Sequence, residues 1–296
     1  MHAGSMCISC ILSKEEQSIR QFPDEERKSE YMHLVLEVLY QYGRIESSPG
    51  LTERLARLYR DFWGEDRDYT AQKHQYNQLL LQMEKKLEQK IQNATEPLKE
   101  CIKYVCAANY IDFSAVEHVN EDTLEELLEN AVGQTVPEEE YQTFRTDLEN
   151  ARTLVYLTDN CGEIVLDKLF IKQIKEIFPG LNITAMVRGG DVINDATLVD
   201  AKEVGLTEIV PCMGNGNAAP GTIVGRLSEE ARETLFHADV IISKGQGNFE
   251  SLYGEKLNPY YLFLCKCELF VYRFQMEQYK SVFVREERMK IKYSIQ

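Results

Sequence analysis

The sequence predicts an α/β protein: a Rossmann-like, three-layer α/β/α domain with a mostly parallel sheet, preceded by an N-terminal all-helical region. Apolar residues recur at helical spacing from residue 13 to about residue 108, whereas short apolar runs alternate with amphipathic segments after Arg152. Charge divides the chain at the same place, with 16 basic and 29 acidic residues in 1–150 but 17 and 19 in 151–296. We therefore predict a helical domain over 6–150 and an α/β domain over 151–296 that carries the functional site.

The helical region is predicted from its apolar spacing and from the positions of its prolines. Leu51, Leu55 and Phe62 fall on one face of a helix, and Pro97 stands where a new helix can begin. Helices are predicted over 78–92, from 97 to about 108, over 121–132 and from 137 to about 152.

The second half alternates strands with helices, which is typical of a parallel sheet covered by helices. Short apolar runs of β-branched and aromatic residues predict its buried strands. The strands are predicted over 153–158, 182–187, 207–210, 239–243 and 260–264. Helices are predicted between them over 164–178, 196–204 and 228–236.

Composition limits the classes of function. The 296 residues are 44% hydrophobic and 27% charged, which is the balance of a folded protein, and the net charge is −15. So acidic a chain is not expected to bind nucleic acid or an anionic membrane. No apolar run approaches the roughly 20 residues of a membrane span, and the first residues lack a signal-peptide pattern. We expect a cytoplasmic protein with no obligate protein partner.

The eight cysteines are expected to be reduced thiols, because they are too sparse for a disulfide scaffold. Cys7 and Cys10 have the Cys-x-x-Cys spacing of metal and redox sites. A zinc site would need a second pair, for which Cys101 and Cys106 are the nearby candidates. The alternative is a small N-terminal anchor together with buried helix cysteines.

Polar residues follow the predicted strands, and parallel sheets bind ligands outside the carboxyl ends of their strands. Asp159 and Asn160 follow the first strand, and Asn194 and Asp195 lie in the loop after the second. Hard oxygen ligands of this kind suit Mg²⁺ or Mn²⁺. Cations and glycine-rich loops at the same edge would suit a phosphate group, and the cations are Arg188, Lys244 and Lys266.

Each of these features also has a purely structural interpretation. Either Asp159 or the Asn194-Asp195 pair could cap the helix that follows it. Lys244 and Lys266 could be solvated or snorkelling charges. The Gly-x-Gly-x-x-Ala pattern at 214–219 resembles a dinucleotide fingerprint, but the Pro-Gly pair that follows interrupts the required helix. The coincidence at several strand ends favours a site.

Three motifs resemble those of the metal-dependent damage-control phosphatase family, a former domain-of-unknown-function family also labelled acidic-residue-methyltransferase-like. They are Asp-Asn-Cys-Gly-Glu at 159–163, Ile-Asn-Asp-Ala-Thr at 193–197 and Lys-Gly-Gln-Gly-Asn-Phe-Glu at 244–250. The last is the most specific. The chain is most similar to the compact prokaryotic branch, which carries an N-terminal Cys-x-x-Cys, and the resemblance covers residues 6 to about 285.

The resemblance implies a helical region packed on a Rossmann-like domain, and one divalent metal (Mn, Mg, Co or Ni) held by Asp159, Asn160 and Asp195. The lysine that the family carries after a late strand matches Lys266. This chain lacks the Arg and Thr that accompany that lysine in other branches, and it has Cys161 at a position that is often small.

The expected function is metal-dependent hydrolysis of phosphomonoesters of small metabolites, such as sugar phosphates or damaged phospho-metabolites. The expected catalytic residues are Asp159, Asp195, Lys244 and Lys266. The expected phosphate- or substrate-binding residues are Arg188, Asn194, Gly245, Gly247, Asn248 and Glu250. Two other functions stay open: a carboxyl methyltransferase that uses S-adenosylmethionine, and a non-catalytic metal- or nucleotide-binding protein.

Overall fold

A computed structural model describes residues 1–109, 126, 128–129, 133 and 135–291. The helix predicted over 121–132 therefore lies almost wholly outside the described residues. Within them, eleven α-helices and six β-strands follow one another in the predicted order, helices first and then alternating strands and helices.

The helices of the first half begin and end at residues suited to those positions. The Asp24 side chain accepts a hydrogen bond from the Arg27 amide at 3.0 Å to start α2, and Gly64 ends α3 in the left-handed conformation at φ +80. No helix of the described chain is long and apolar enough to cross a membrane. These helices are α1 (Ser5–Ser18), α2 (Glu25–Tyr42), α3 (Ser48–Trp63), α4 (Thr70–Gln92), α5 (Pro97–Ala108) and α6 (Glu138–Asn150).

The second half forms one six-stranded sheet in the order β3-β2-β1-β4-β5-β6, confirming the predicted α/β class. Strands β1 to β5 pair in parallel, and Tyr156 in the middle of β1 lies beside Ala185 and Ile242 of its two neighbours. The strands are β1 (Thr153–Leu157), β2 (Asn182–Val187), β3 (Cys212–Gly214), β4 (Val240–Lys244), β5 (Tyr260–Leu264) and β6 (Ser281–Arg285). The helices between them are α7 (Glu163–Ile177), α8 (Leu198–Glu203), α9 (Glu229–Phe236), α10 (Gly245–Leu252) and α11 (Glu268–Phe274).

The strand predicted over 207–210 was wrong. Leu206–Glu208 forms a single 3₁₀ turn, and the third strand comes later, at Cys212–Gly214. The buried side chains of Leu206 and Val210 are four residues apart, which is the spacing of a helical turn and not of a strand. Gly205, at φ +75, turns the chain out of α8 immediately before this segment.

Strand β6 was not predicted. It runs antiparallel to β5 at the edge of the sheet, with Leu262 opposite Phe283. Val282 and Phe283 are buried on opposite faces of the sheet, while both ends of the strand are half-exposed. A single antiparallel edge strand on an otherwise parallel sheet is a common arrangement.

Both halves of the chain contribute to the largest hydrophobic cluster. It includes Leu80 and Ile91 of α4, Ile102 of α5, and Phe170 and Ile174 of α7. The helical region thus covers one face of the sheet, while α1 and the helices α9 to α11 contribute to a second cluster on the other face. The division into domains at residue 150 stays a prediction.

Candidate active site

The loops after β1 and β2 meet at the point where the strand order reverses, between β1 and β4, which is where open α/β sheets bind ligands. The amide of Cys161 donates to the carbonyl of Asn194 at 2.8 Å, and the amide of Ala196 donates to the carbonyl of Asp159 at 2.8 Å. Asn160 and Asp195 form an isolated antiparallel bridge. Three of the predicted site residues, Asp159, Asn160 and Asp195, are therefore neighbours, and all are at least nine-tenths buried.

The turn that delivers Asp195 is strained. Ile193 has φ 43, a left-handed conformation that a β-branched residue rarely adopts. The next residue, Asn194, gives its carbonyl to the Cys161 amide, and its buried Nδ2 has no hydrogen-bond partner. Asn194 thus holds the two loops together through its backbone, while its amide nitrogen can still donate to a ligand.

Arg188 lies between the two aspartates. Its Nε is 2.5 Å from Asp195 Oδ2, its Nη2 is 3.3 Å from Asp159 Oδ1, and its Nη1 is 2.9 Å from Asn248 Oδ1. The side chain is 1% exposed. Because these donors are already bonded to the site's own residues, Arg188 orients the carboxylates as well as carrying positive charge into the site.

Two side chains that were absent from the predicted site complete the surroundings of Asp159. Asn109, at the C-terminal end of α5, donates through Nδ2 to Asp159 Oδ2 at 3.0 Å and to Glu163 Oε2 at 3.1 Å. Asn160 Nδ2 donates to the same two oxygens, at 2.8 and 3.0 Å. Glu163 stood within a motif, but the sequence around Asn109 carries no signal of such a role.

Lys244 occupies a different position from the one expected. Its ammonium is fully buried, 2.5 Å from Glu163 Oε1 and 2.7 Å from Asp167 Oδ1. Tyr156 donates its hydroxyl to the same Asp167 oxygen at 2.6 Å. Burial opposes the charged ammonium, but Asp167 and Glu163 outweigh it and raise the pKa of Lys244. Lys244 therefore acts as a counterion inside the site, because direct contact with a phosphate would require breaking two buried ion pairs.

Glycine is required at both predicted glycine positions because other atoms lie very close to the backbone there. Gly245 has φ +79, and a Cβ added to it would overlap the carboxylate of Asp159. A Cβ on Gly247 would overlap the carbonyl oxygen of Pro220. Gly245 thus lets Asp159 lie against the start of α10, whereas Gly247 lets α10 pack against the loop after β3.

Asn248 and Glu250 lie on different sides of α10. Asn248 is fully bonded within the protein, since it donates to the carbonyls of Thr158 and Lys244 and accepts from Thr222 as well as from Arg188. Glu250 Oε1 instead lies 3.9 Å from Cys7 Sγ of the N-terminal helix. Burial raises the pKa of Glu250 to about 7, partly opposed by Arg273. Neither residue is placed as expected for direct contact with a phosphate.

Lys266 follows β5 and is half-buried. Burial, followed by the nearby Asp195 and Glu163, raises the pKa of Asp159 to about 8, and the positive charges of Arg188 and Lys266 partly oppose this shift. The Cys161 thiol is buried 3.7 Å from the carbonyl of Asp195, where burial raises its pKa well above the usual range.

The donors at this site fit a divalent cation. Asp159, Asp195 and Glu163 are three buried carboxyl groups linked by hydrogen bonds to Arg188 and Asn109. Burial, and after it the nearby Asp195 and Glu163, raise the pKa of Asp159, and a bound cation would offset this repulsion. Within the part of the chain that the structure describes, no three His, Cys, Asp or Glu side chains are grouped as metal ligands. The predicted set instead combines two carboxylates with one amide oxygen.

A cavity of about 460 Å³ opens beside the site, between α3 and two glycine-rich loops. Asp159 and Asp195 do not line this cavity, but Gly189 and Gly190 in its wall directly follow Arg188. Charges of both signs line it: Arg57, Arg60 and Arg226 with Glu53, Asp66 and Asp191. Such a wall suits a polar ligand.

The comparisons with known proteins agree with this architecture. The family described as the damage-control phosphatase ARMT1-like domain matches residues 4–282. The chain belongs to this family. It is 29% identical over 273 residues to a damage-control phosphatase of Archaeoglobus fulgidus, covering 90% of this chain and 93% of that one. It is 27% identical over 269 residues to a damage-control phosphatase of Pyrococcus horikoshii, covering 88% and 90%.

A solved structure supports the fold. The crystal structure of a DUF89 family protein from Pyrococcus horikoshii superimposes with a TM-score of 0.84 at 24% sequence identity, covering 97% of this chain and 99% of the other. Membership of the damage-control phosphatase ARMT1-like family supports a phosphatase role at the level of the family. The assignment to the compact prokaryotic branch with an N-terminal Cys-x-x-Cys stays a prediction.

Proposed function

We propose that this chain is a metal-dependent phosphomonoesterase that acts on small phosphorylated metabolites in the cytoplasm. The observation that carries the proposal is the pair of buried aspartates, Asp159 and Asp195, which meet at the switch point of the sheet. Family membership supplies the reaction class, and this site is where a divalent cation and a phosphate would meet.

Asp159, Asn160 and Asp195 would hold the cation through two carboxylates and an amide oxygen, a donor set that suits Mg²⁺ or Mn²⁺. Such a cation, when bound, supplies Lewis-acid stabilisation of the charge that develops on phosphate oxygens. Arg188 keeps the two carboxylates in register, because its guanidinium bonds both.

Lys266 is the cation best placed to contact the substrate. Unlike the fully buried Lys244 it is only half-buried, and its charge acts on Asp159. We propose that it stabilises the transferring phosphoryl group. The Asn194 amide nitrogen would add a neutral donor from the opposite loop.

The organic part of the substrate would lie in the 460 Å³ cavity beside Gly189 and Gly190. Arginine and carboxylate side chains alternate there, which suits hydroxyl groups better than an apolar tail. This favours a sugar phosphate or a similar polyhydroxylated ester.

The methyltransferase alternative has no comparable support. A methyl-donor site would call for a glycine-rich loop after β1, and the structure has Asp159 and Asn160 there, packed against Asp195. A protein with only a binding role would bind a metal or a nucleotide but would not turn over a phosphate ester.

The test is hydrolysis of p-nitrophenyl phosphate by chelator-stripped protein, with and without Mg²⁺, Mn²⁺, Co²⁺ or Ni²⁺. We expect metal-dependent turnover that is abolished in Asp159→Ala and retained in Asp61→Ala, a matched change at an exposed aspartate of α3. Folded protein that turns over no ester with any metal would contradict the proposal, as would an active Asp159→Ala variant.

A further inference from the structure

The amide of Asn160 has a defined orientation in the site. One of its two terminal atoms lies 2.8 Å from Asp159 Oδ2 and 3.0 Å from Glu163 Oε2. Asn109 Nδ2 donates to the same two oxygens, so both are acceptors and the Asn160 atom that faces them is the nitrogen. The amide oxygen consequently faces away from Glu163.

Glu163 is held as an acceptor from both sides. Lys244, which can only donate, bonds Oε1 at 2.5 Å, while Asn109 and Asn160 both donate to Oε2. All four side chains are fully or almost fully buried, so no water competes for these bonds.

The orientation of Asn160 matters for a cation. An amide oxygen is a hard donor suited to Mg²⁺ or Mn²⁺, whereas the reversed amide would turn two N–H groups toward the positive charge. The two orientations have the same shape, so packing alone does not choose between them. Hydrogen bonding to Asp159 and Glu163 does, and of these two only Glu163 is not itself a proposed metal ligand.

We propose that Glu163 is a positioning residue that fixes the Asn160 amide with its oxygen turned toward the metal site, and that Lys244 holds Glu163 in place through its bond to Oε1. This inference rests on the proposed function for the presence of a metal. It assigns Lys244 to the metal site indirectly, through Glu163.

Asp167 provides a matched control. Like Glu163 it is fully buried and bonded to Lys244, at 2.7 Å, but its other hydrogen bond comes from Tyr156 and not from Asn160 or Asn109. Glu163→Gln and Asp167→Asn therefore each remove one negative charge beside Lys244 with little change in volume. Only Glu163→Gln gives Asn160 a partner that can accept or donate equally well.

The experiment titrates Mn²⁺ into chelator-stripped wild type, Glu163→Gln and Asp167→Asn by calorimetry, with kcat and KM for p-nitrophenyl phosphate measured at saturating Mn²⁺. We expect Glu163→Gln to weaken Mn²⁺ binding by about 10- to 100-fold, as changes behind a metal ligand commonly do, and to leave KM near the wild-type value. Asp167→Asn should leave Mn²⁺ affinity near the wild-type value, because Asp167 bonds Lys244 and Tyr156 and none of the proposed ligands.

Equal weakening by both variants would overturn the inference, since it would indicate a general effect of charge or stability. So would wild-type affinity in Glu163→Gln, or wild-type protein that binds no Mn²⁺. Should Glu163→Gln not fold, Glu163→Asp gives the same comparison, because its shorter carboxylate keeps the charge but recedes from Asn160. Protein that binds Mn²⁺ with the expected ranking but hydrolyses nothing would contradict the proposed function alone.

Discussion

Gly245→Ala is the substitution for which the structure makes the sharpest prediction. The new Cβ would lie 2.7 Å from Asp159 Oδ1 and nearer still to Oδ2, whereas ordinary contacts begin near 3.4 Å. The carboxylate must therefore retreat by at least 0.7 Å, and by more on its Oδ2 side. A displacement of about 1 Å in a reacting group can cost on the order of 100-fold in rate.

Backbone strain is a second and separable effect of Gly245→Ala. At φ +79 an alanine costs about 1 kcal/mol relative to glycine. Gly64 has nearly the same conformation, φ +80, with no atom within 4 Å of an added Cβ. Gly64→Ala therefore carries the strain without the clash.

The assay compares kcat/KM for p-nitrophenyl phosphate and the free energy of unfolding in urea for both variants. We expect Gly245→Ala to lose roughly 100-fold or more in kcat/KM, and Gly64→Ala to lose about 1 kcal/mol of stability with little change in rate. Wild-type activity in Gly245→Ala, or an equal loss of activity in Gly64→Ala, would refute the assignment of Asp159 to the reacting centre.

Two further predictions concern buried charges. Arg188→Met leaves the carboxyl groups of Asp159 and Asp195 without their shared partner. The free energy of unfolding of the metal-free protein in urea should therefore fall by about 3–5 kcal/mol. A fall of less than about 1 kcal/mol would contradict this account of the network. Burial raises the pKa of Glu250 in the folded protein to about 7, against an ordinary value of 4.5. Between these two values the folded protein keeps a proton on Glu250 that the unfolded chain has released. The stability that this proton contributes is therefore lost as pH rises from 4.5 through about 7. Glu250→Gln should flatten that decline in pH-dependent unfolding, and an unchanged slope would show that another group causes it.

Much of the site's location followed from the sequence because parallel strands bring their carboxyl ends to one edge. Asp159 and Asp195 lie 36 positions apart, yet each comes soon after a strand that was correctly predicted, so their meeting required only the sheet. Asn109 could not be found this way. It ends a helix, and its place beside Asp159 depends on how α5 packs on α7 and β5, which a helical pattern does not specify.

The direction of the Lys244 side chain could also have been predicted from its position along β4. Side chains alternate across a sheet, so Lys244 shares a face with Val240 and Ile242, and those two belong to the cluster formed with α4, α5 and α7. Ile241 belongs to the cluster on the other face. The Lys244 side chain must therefore project toward α7. There Glu163 and Asp167 lie one helical turn apart, and both can reach its ammonium. A residue's place at the end of a strand identifies the edge of the sheet at which it lies. The face to which its side chain points depends on whether its position along the strand is odd or even. That face decides whether the side chain meets a ligand or the helix beneath.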